Sequence, residues 1–109
     1  MKTDLLTAQR EYNNYFERTV FPLLNITTSE LDDLGFAEIA ERIEAPQIRR
    51  TFRKLAVALL EANLQDHQAD RPNAAELLKA GNSRDLKDWQ EFSAILEKAL
   101  MALVSQGDT

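Results

Sequence analysis

The chain contains no cysteine. That removes disulfide frameworks and thiolate zinc sites at once, and it suits a reducing compartment. Only 3 glycines and 3 prolines occur in 109 residues, too few turn-formers for a many-stranded, turn-rich fold. A single histidine leaves few candidate bases or nucleophiles. No serine or threonine has a histidine and a carboxylate at motif spacing, and no Gly-rich phosphate loop is present. No run approaches the roughly 18 apolar residues that a bilayer span needs; the longest, Leu55 to Leu60, reads as the inner face of a helix. Met1-Lys2-Thr3-Asp4 opens without an apolar stretch, so no secretory signal is expected. These absences favour a cytoplasmic, non-enzymatic protein with no cofactor, no metal and no membrane contact.

What is present is enough apolar material for one core. Hydrophobic residues make up 44% and charged residues 28%, a mixture that fills an interior and still coats a surface. The length suits a single domain over residues 1–109. The net charge of -5 repels phosphate backbones at long range and handicaps generic nucleic-acid binding.

Apolar spacing predicts helices throughout and no strands, because clean alternation never persists over five or six positions. The expected fold is all-α, an antiparallel bundle of three long helices at about 4–20, 46–65 and 83–105. Short helices are expected near 28–34, 36–44 and 72–80. In the first, Leu5, Ala8, Tyr12, Tyr15 and Thr19 form a stripe, Thr3 or Asp4 caps the start, and Pro22 ends it near Phe21. Thr27 and Glu30 have capping-box spacing, and Gly35 and Gly81 sit where left-handed helix ends are expected.

Pro46 suits the first position of the second long helix, whose seam is read as Ile48, Phe52, Leu55, Leu59 and Ala62. Asp66 to Arg71 reads as a polar loop, and Pro72 opens the next short helix. Asn82 or Ser83 caps the last helix, where Leu86, Trp89, Ser93, Leu96, Leu100 and Leu103 keep a heptad spacing, broadened by Phe92, Ile95 and Ala99. Residues 105–109 read as a frayed tail. Trp89, Phe52, Phe16 and Leu96 are the expected centre.

The strongest local signal is basic. Arg42, Arg49, Arg50, Arg53 and Lys54 hold five of the 13 cations. On a helix beginning at Pro46 the last four lie away from Ile48, Phe52 and Leu59. Guanidinium groups there suit an acidic protein partner or phosphates. The plainer alternative is a solvated face neutralised by Glu38, Glu41, Glu44 and Glu61. Cations near a helix N-terminus oppose its macrodipole, so they have no local stabilising reason to be there. Tyr12 and Tyr15 share a helix with Phe16, and one of the two tyrosines is expected at a rim, where tyrosine suits an interface. His67 between Asp66 and Asp70 lacks the paired spacing of metal sites and reads as solvated.

The Glu38-Ile39-Ala40-Glu41 segment resembles the first helix of the helix-turn-helix in bacterial sigma-factor and response-regulator DNA-binding domains. The resemblance spans about 20 residues and implies Gln47 to Lys54 as a recognition helix offering Gln47, Arg49, Arg50 and Arg53 to a major groove. Glu44-Ala45-Pro46 replaces the Gly-containing turn and is about two residues short. The first functional expectation is therefore a small protein–protein interaction module, a regulator, inhibitor, immunity-type protein or assembly subunit, binding an unidentified protein through Arg42, Arg49, Arg50, Arg53, Lys54, Tyr12 and Tyr15. A DNA-binding regulator using residues 36–54 is second. The apolar width of the last helix is compatible with a homodimer.

Overall fold

A computed structural model describes residues 4–69, 74–81 and 83–106. Thr3, Asp70 to Pro72, Asn82 and Gly107 to Thr109, on which some of the expectations above fall, lie outside them. Every regular element among the described residues is helical: α1 (Leu5–Tyr15), a π-turn (Phe16–Val20), α2 (Phe21–Leu24), α3 (Thr28–Asp32), α4 (Phe36–Arg42), α5 (Pro46–Ala69), α6 (Ala74–Lys79) and α7 (Ser83–Ser105). None of these helices is long and apolar enough to cross a membrane.

The first segment is not one long rod that stops at Pro22. Asp4 caps α1 by accepting the Thr7 N–H at 2.8 Å, a bond that holds its carboxyl below the usual range. At Phe16 the helix widens, and the Phe21 N–H donates to the Phe16 carbonyl five residues back. In an α-turn the Pro22 ring would meet the Arg18 carbonyl. The wider turn relieves that clash, so helix continues past the proline to Leu24. Asn25 ends it in the left-handed conformation at φ 53°, which asparagine tolerates better than other side chains.

The capping box forms as its spacing suggests: Thr27 Oγ1 accepts the Glu30 N–H at 3.1 Å, and Glu30 Oε1 accepts the Thr27 N–H at 3.3 Å. Gly35 does not close α3. Its backbone is extended at φ -83°, and its N–H is capped at 3.4 Å by Glu38, three residues on. A helix start, not a helix end, occupies that glycine. Gly81, at φ 75°, takes the left-handed form after α6.

α5 begins at Pro46 and runs through Ala69. The polar stretch from Asp66 therefore continues the helix instead of opening a loop, since none of these side chains breaks the hydrogen-bond ladder. Its buried side chains are Phe52, Ala56, Leu60 and Ala62. The observed ridge thus runs in steps of four from Phe52, while Leu55 and Leu59 are only half-buried. The reason lies in the packing. α1 lies along α5, α7 also lies along it, and α4 touches both α5 and α7. With neighbours on several sides, the centre of the buried arc falls on Ala56, whose small side chain lets them approach closely.

The core joins Val20, Ile39, Ala40, Ile43, Phe52, Ala56, Leu60, Leu96 and Leu103. Phe52 and Leu96 are central as expected, at 0% and 5% exposed. Phe16 only packs against this group, and Trp89 sits away from it, near the end of α5. The tail expected from Ser105 is anchored at its first turn, where Gln106 Nε2 donates to the Ala37 carbonyl at 2.7 Å.

The molecule is elongated. Its radius of gyration is 16.4 Å over extents of 52 × 34 × 24 Å, against about 13 Å for a compact domain of this length. Helices of 24 and 23 residues, each about 35 Å long, outreach the short helices that cover them. Much of α7 is left uncovered: among the described residues, four of the six exposed large hydrophobics (Phe92, Ile95, Met101 and Val104, with Leu6 and Leu23 elsewhere) lie on it.

Replacing Phe52 with Ala should cost about 3–5 kcal/mol, a large share of the roughly 5–15 kcal/mol typical of a domain. Denaturant unfolding followed by circular dichroism measures it. By contrast, Asn25→Gly should leave stability unchanged or slightly raised, and Asn25→Val should lower it by about 1–2 kcal/mol.

Candidate functional site

The five cations of the basic cluster do not share one face. Arg42 ends α4 in its last turn, where a cation complements the helix dipole. On α5, Arg50 and Lys54 are exposed, whereas Arg49 and Arg53 are half-buried. The Arg49 guanidinium folds back, its Nη2 donating to the Glu44 carbonyl at 3.3 Å. No ion pair among the described residues joins Glu38, Glu41, Glu44 or Glu61 to Arg42, Arg49, Arg50 or Lys54.

The structure supplies another reason for cations at the start of α5. Arg50, Thr51, Arg53 and Lys54 line a cleft of about 600 Å³ together with Val57 and, from the last turns of α7, Leu103 and Val104. The last turn of any helix leaves carbonyls unsatisfied and carries partial negative charge, and α7 has no cation of its own there. Three of the charges that oppose the dipole of α5, on Arg50, Arg53 and Lys54, therefore stand beside the opposite pole of α7. The cleft is amphipathic. Arginine and lysine line one side, and aliphatic groups, with Val104 64% exposed, line the other.

The opposite ends of the same two helices are clasped. His67 and Trp89 stack with ring centres 4.6 Å apart and planes 15° from parallel. Trp89 Nε1 donates to the His67 carbonyl at 3.1 Å, and His67 Nε2 lies 2.9 Å from the Trp89 carbonyl. A carbonyl oxygen only accepts, so that contact requires the proton on Nε2. Phe92 packs on the same imidazole at 4.9 Å. His67 is thus held between rings and not solvated in a loop. Among the described residues no group of three or more His, Cys, Asp or Glu is placed to hold a metal ion.

This clasp fixes a register. Arg53 lies fourteen residues before His67, and Leu103 lies fourteen after Trp89. In an antiparallel pair those positions face each other, and they meet in the basic cleft.

The two tyrosines divide. Tyr12 stacks on Phe16 at 5.8 Å, meets Phe36 edge-on at 5.5 Å and Phe52 at 5.6 Å. It belongs with the core aromatics, and burial pushes its phenol proton well above the usual tyrosine range. Tyr15 is the rim residue, half-buried in a shallow depression with Glu11, Arg18 and Leu55. The structure brings neither tyrosine to the basic cleft.

Two outcomes follow. A tyrosine whose pKa is raised by folding contributes stability below about pH 10 and loses it above. Ionising Tyr12 should therefore accompany alkaline unfolding; absorbance titration that ionises both tyrosines with helicity intact would contradict this. His67→Ala should cost about 1–2 kcal/mol through the lost stack and hydrogen bond, and should shift Trp89 emission to longer wavelength.

Comparison with protein-family models, curated proteins and solved structures finds no match to this chain.

Proposed function

We propose that the chain is a non-enzymatic, cytoplasmic protein–protein interaction module, built as an antiparallel helical bundle around α5. Its docking site is the cleft between the start of α5 and the end of α7. The observation that carries this reading is the mixed lining of that cleft: Arg50 and Lys54 exposed beside Val57 and the largely exposed Val104. A protein segment carrying carboxylates and apolar side chains satisfies both sides. A phosphodiester backbone satisfies only the cations.

The second reading, DNA binding through a helix-turn-helix, draws on one specific feature. α4 and α5 are joined by only the three residues from Ile43 to Ala45, and Gln47, Arg50, Thr51 and Lys54 form an exposed stripe on α5. Against it stand the net charge of -5 and the end of α7 alongside that stripe.

Arg50→Glu with Lys54→Glu separates the two. Both side chains are exposed, so helicity should be retained. Capture from nuclease-treated lysate should retain a protein partner that the double variant binds about tenfold or more weakly. Equal capture by the variant would contradict the proposal. So would binding to duplex DNA that falls steeply with salt and disappears in the variant.

A further inference from the structure

The inner seam of α7 is spent on the core, where Leu96 and Leu103 are buried and Leu100 packs against them. A second seam runs along its outside. Glu91, Ile95, Lys98 and Ala102 follow one another at spacings of four, three and four, the stripe that a helix presents to one neighbouring helix. Glu91, Ile95 and Lys98 are exposed, Ile95 by 62%. Shallow grooves flank this ridge on both sides. One lies between α4 and α7, beside Phe36, Ile95 and Ala99; the other runs past Ala94, Met101 and Ser105. A lone exposed isoleucine would need no explanation. A heptad-spaced stripe between two grooves, on the helix that holds most of the exposed large hydrophobics among the described residues, does.

The charges on the stripe identify its occupant. Glu91 and Lys98 lie equally far from the midpoint between Ala94 and Ile95. A two-fold axis through that midpoint, with two copies of α7 antiparallel, sets each Glu91 against the partner's Lys98. The same operation keeps each residue on its own side of the contact and so brings Ile95 beside the partner's Ile95, next to the axis. An isologous contact requires a surface complementary to itself, and this stripe is. Glu91 lies 3.9 Å from Lys87, but both groups are largely exposed and the pair is worth little. Glu91 is therefore free to turn toward a second copy.

We infer that the chain forms a two-fold homodimer through the Glu91–Ile95–Lys98–Ala102 face of α7. Ile95 and Val104 are nine positions apart, about 180° around the helix. The dimer leaves the basic cleft open on its far side and displays two of them. Each partner carrying two matching segments would then be held by both, with the gain that linked sites confer.

Sedimentation equilibrium of the full chain across micromolar to millimolar concentration is the test. The wild type should dimerise. Ile95→Asp should raise the dimer Kd at least about thirtyfold, since two carboxylates would meet at an apolar contact. Glu91→Lys should raise it about tenfold by setting like charges opposite each other twice. Combining Glu91→Lys with Lys98→Glu should bring Kd back to within about threefold of wild type. That reversal does not depend on Ile95→Asp folding well. A chain monomeric at every concentration overturns the inference, as does a dimer that Ile95→Asp leaves intact. A charge-swapped double variant that stays as weak as Glu91→Lys alone overturns it equally.

Discussion

The antiparallel register of α5 against α7 is the constraint on which the rest of the molecule depends. It is set at two levels. Burial of Phe52, Ala56 and Leu60 against neighbours that include Leu96 and Leu103 supplies most of the driving force, because area removed from water is the dominant favourable term. Burial alone is non-directional and would tolerate a slip of one turn. The reciprocal hydrogen bonds between His67 and Trp89 do not tolerate one, since each backbone carbonyl meets the other's ring nitrogen at only one alignment. Packing gives affinity between the helices, and the clasp gives their position.

That register explains features that are puzzling in isolation. Four cations near the start of α5 oppose its dipole, yet three of them, Arg50, Arg53 and Lys54, stand beside the carbonyl end of α7, which lacks cations in its last turn. Each such interaction contributes about 0.3–1 kcal/mol, so the cluster is partly structural before it is anything else. The division of the four follows: Arg49 and Arg53 are half-buried, while Arg50 and Lys54 remain available to a partner. The elongated shape has the same origin. Two helices of nearly equal length lie side by side while the short helices cover only part of them, so α7 keeps an outward face.

The all-helical fold and several element ends were legible in the sequence because their signals are local. The Thr27–Glu30 box and Pro46 as a first residue each depend on neighbours a few positions away. What was not legible depends on tertiary context. Pro22 reads as a stop only if the helix stays α, and the π-turn from Phe16 removes that condition. Gly35 is conformationally free and serves either a helix end or a helix start. Asp66 to Ala69 look like loop by polarity, yet polarity does not break a helix when rings further along the chain bind it. The heptad arithmetic that placed Trp89 on an inner seam was sound, but the seam outruns the core at that end. Tyr12 was a rim candidate because one helix cannot bury all its aromatics; Phe36 and Phe52, from two other helices, decided which one it buried. The cleft itself could have been found by counting back from His67 and onward from Trp89, had their pairing been recognised.

The most direct test of the α5–α7 register is a set of nuclear Overhauser effects in the free protein. Protons of the His67 ring should show contacts to the Trp89 indole, and side-chain protons of Arg53 or Val57 should show contacts to Leu103. Finding the first pair without the second would mean that the helices diverge and the cleft does not exist. Contacts between Trp89 and the Arg53 end of α5 would reverse the direction of packing and contradict the whole account.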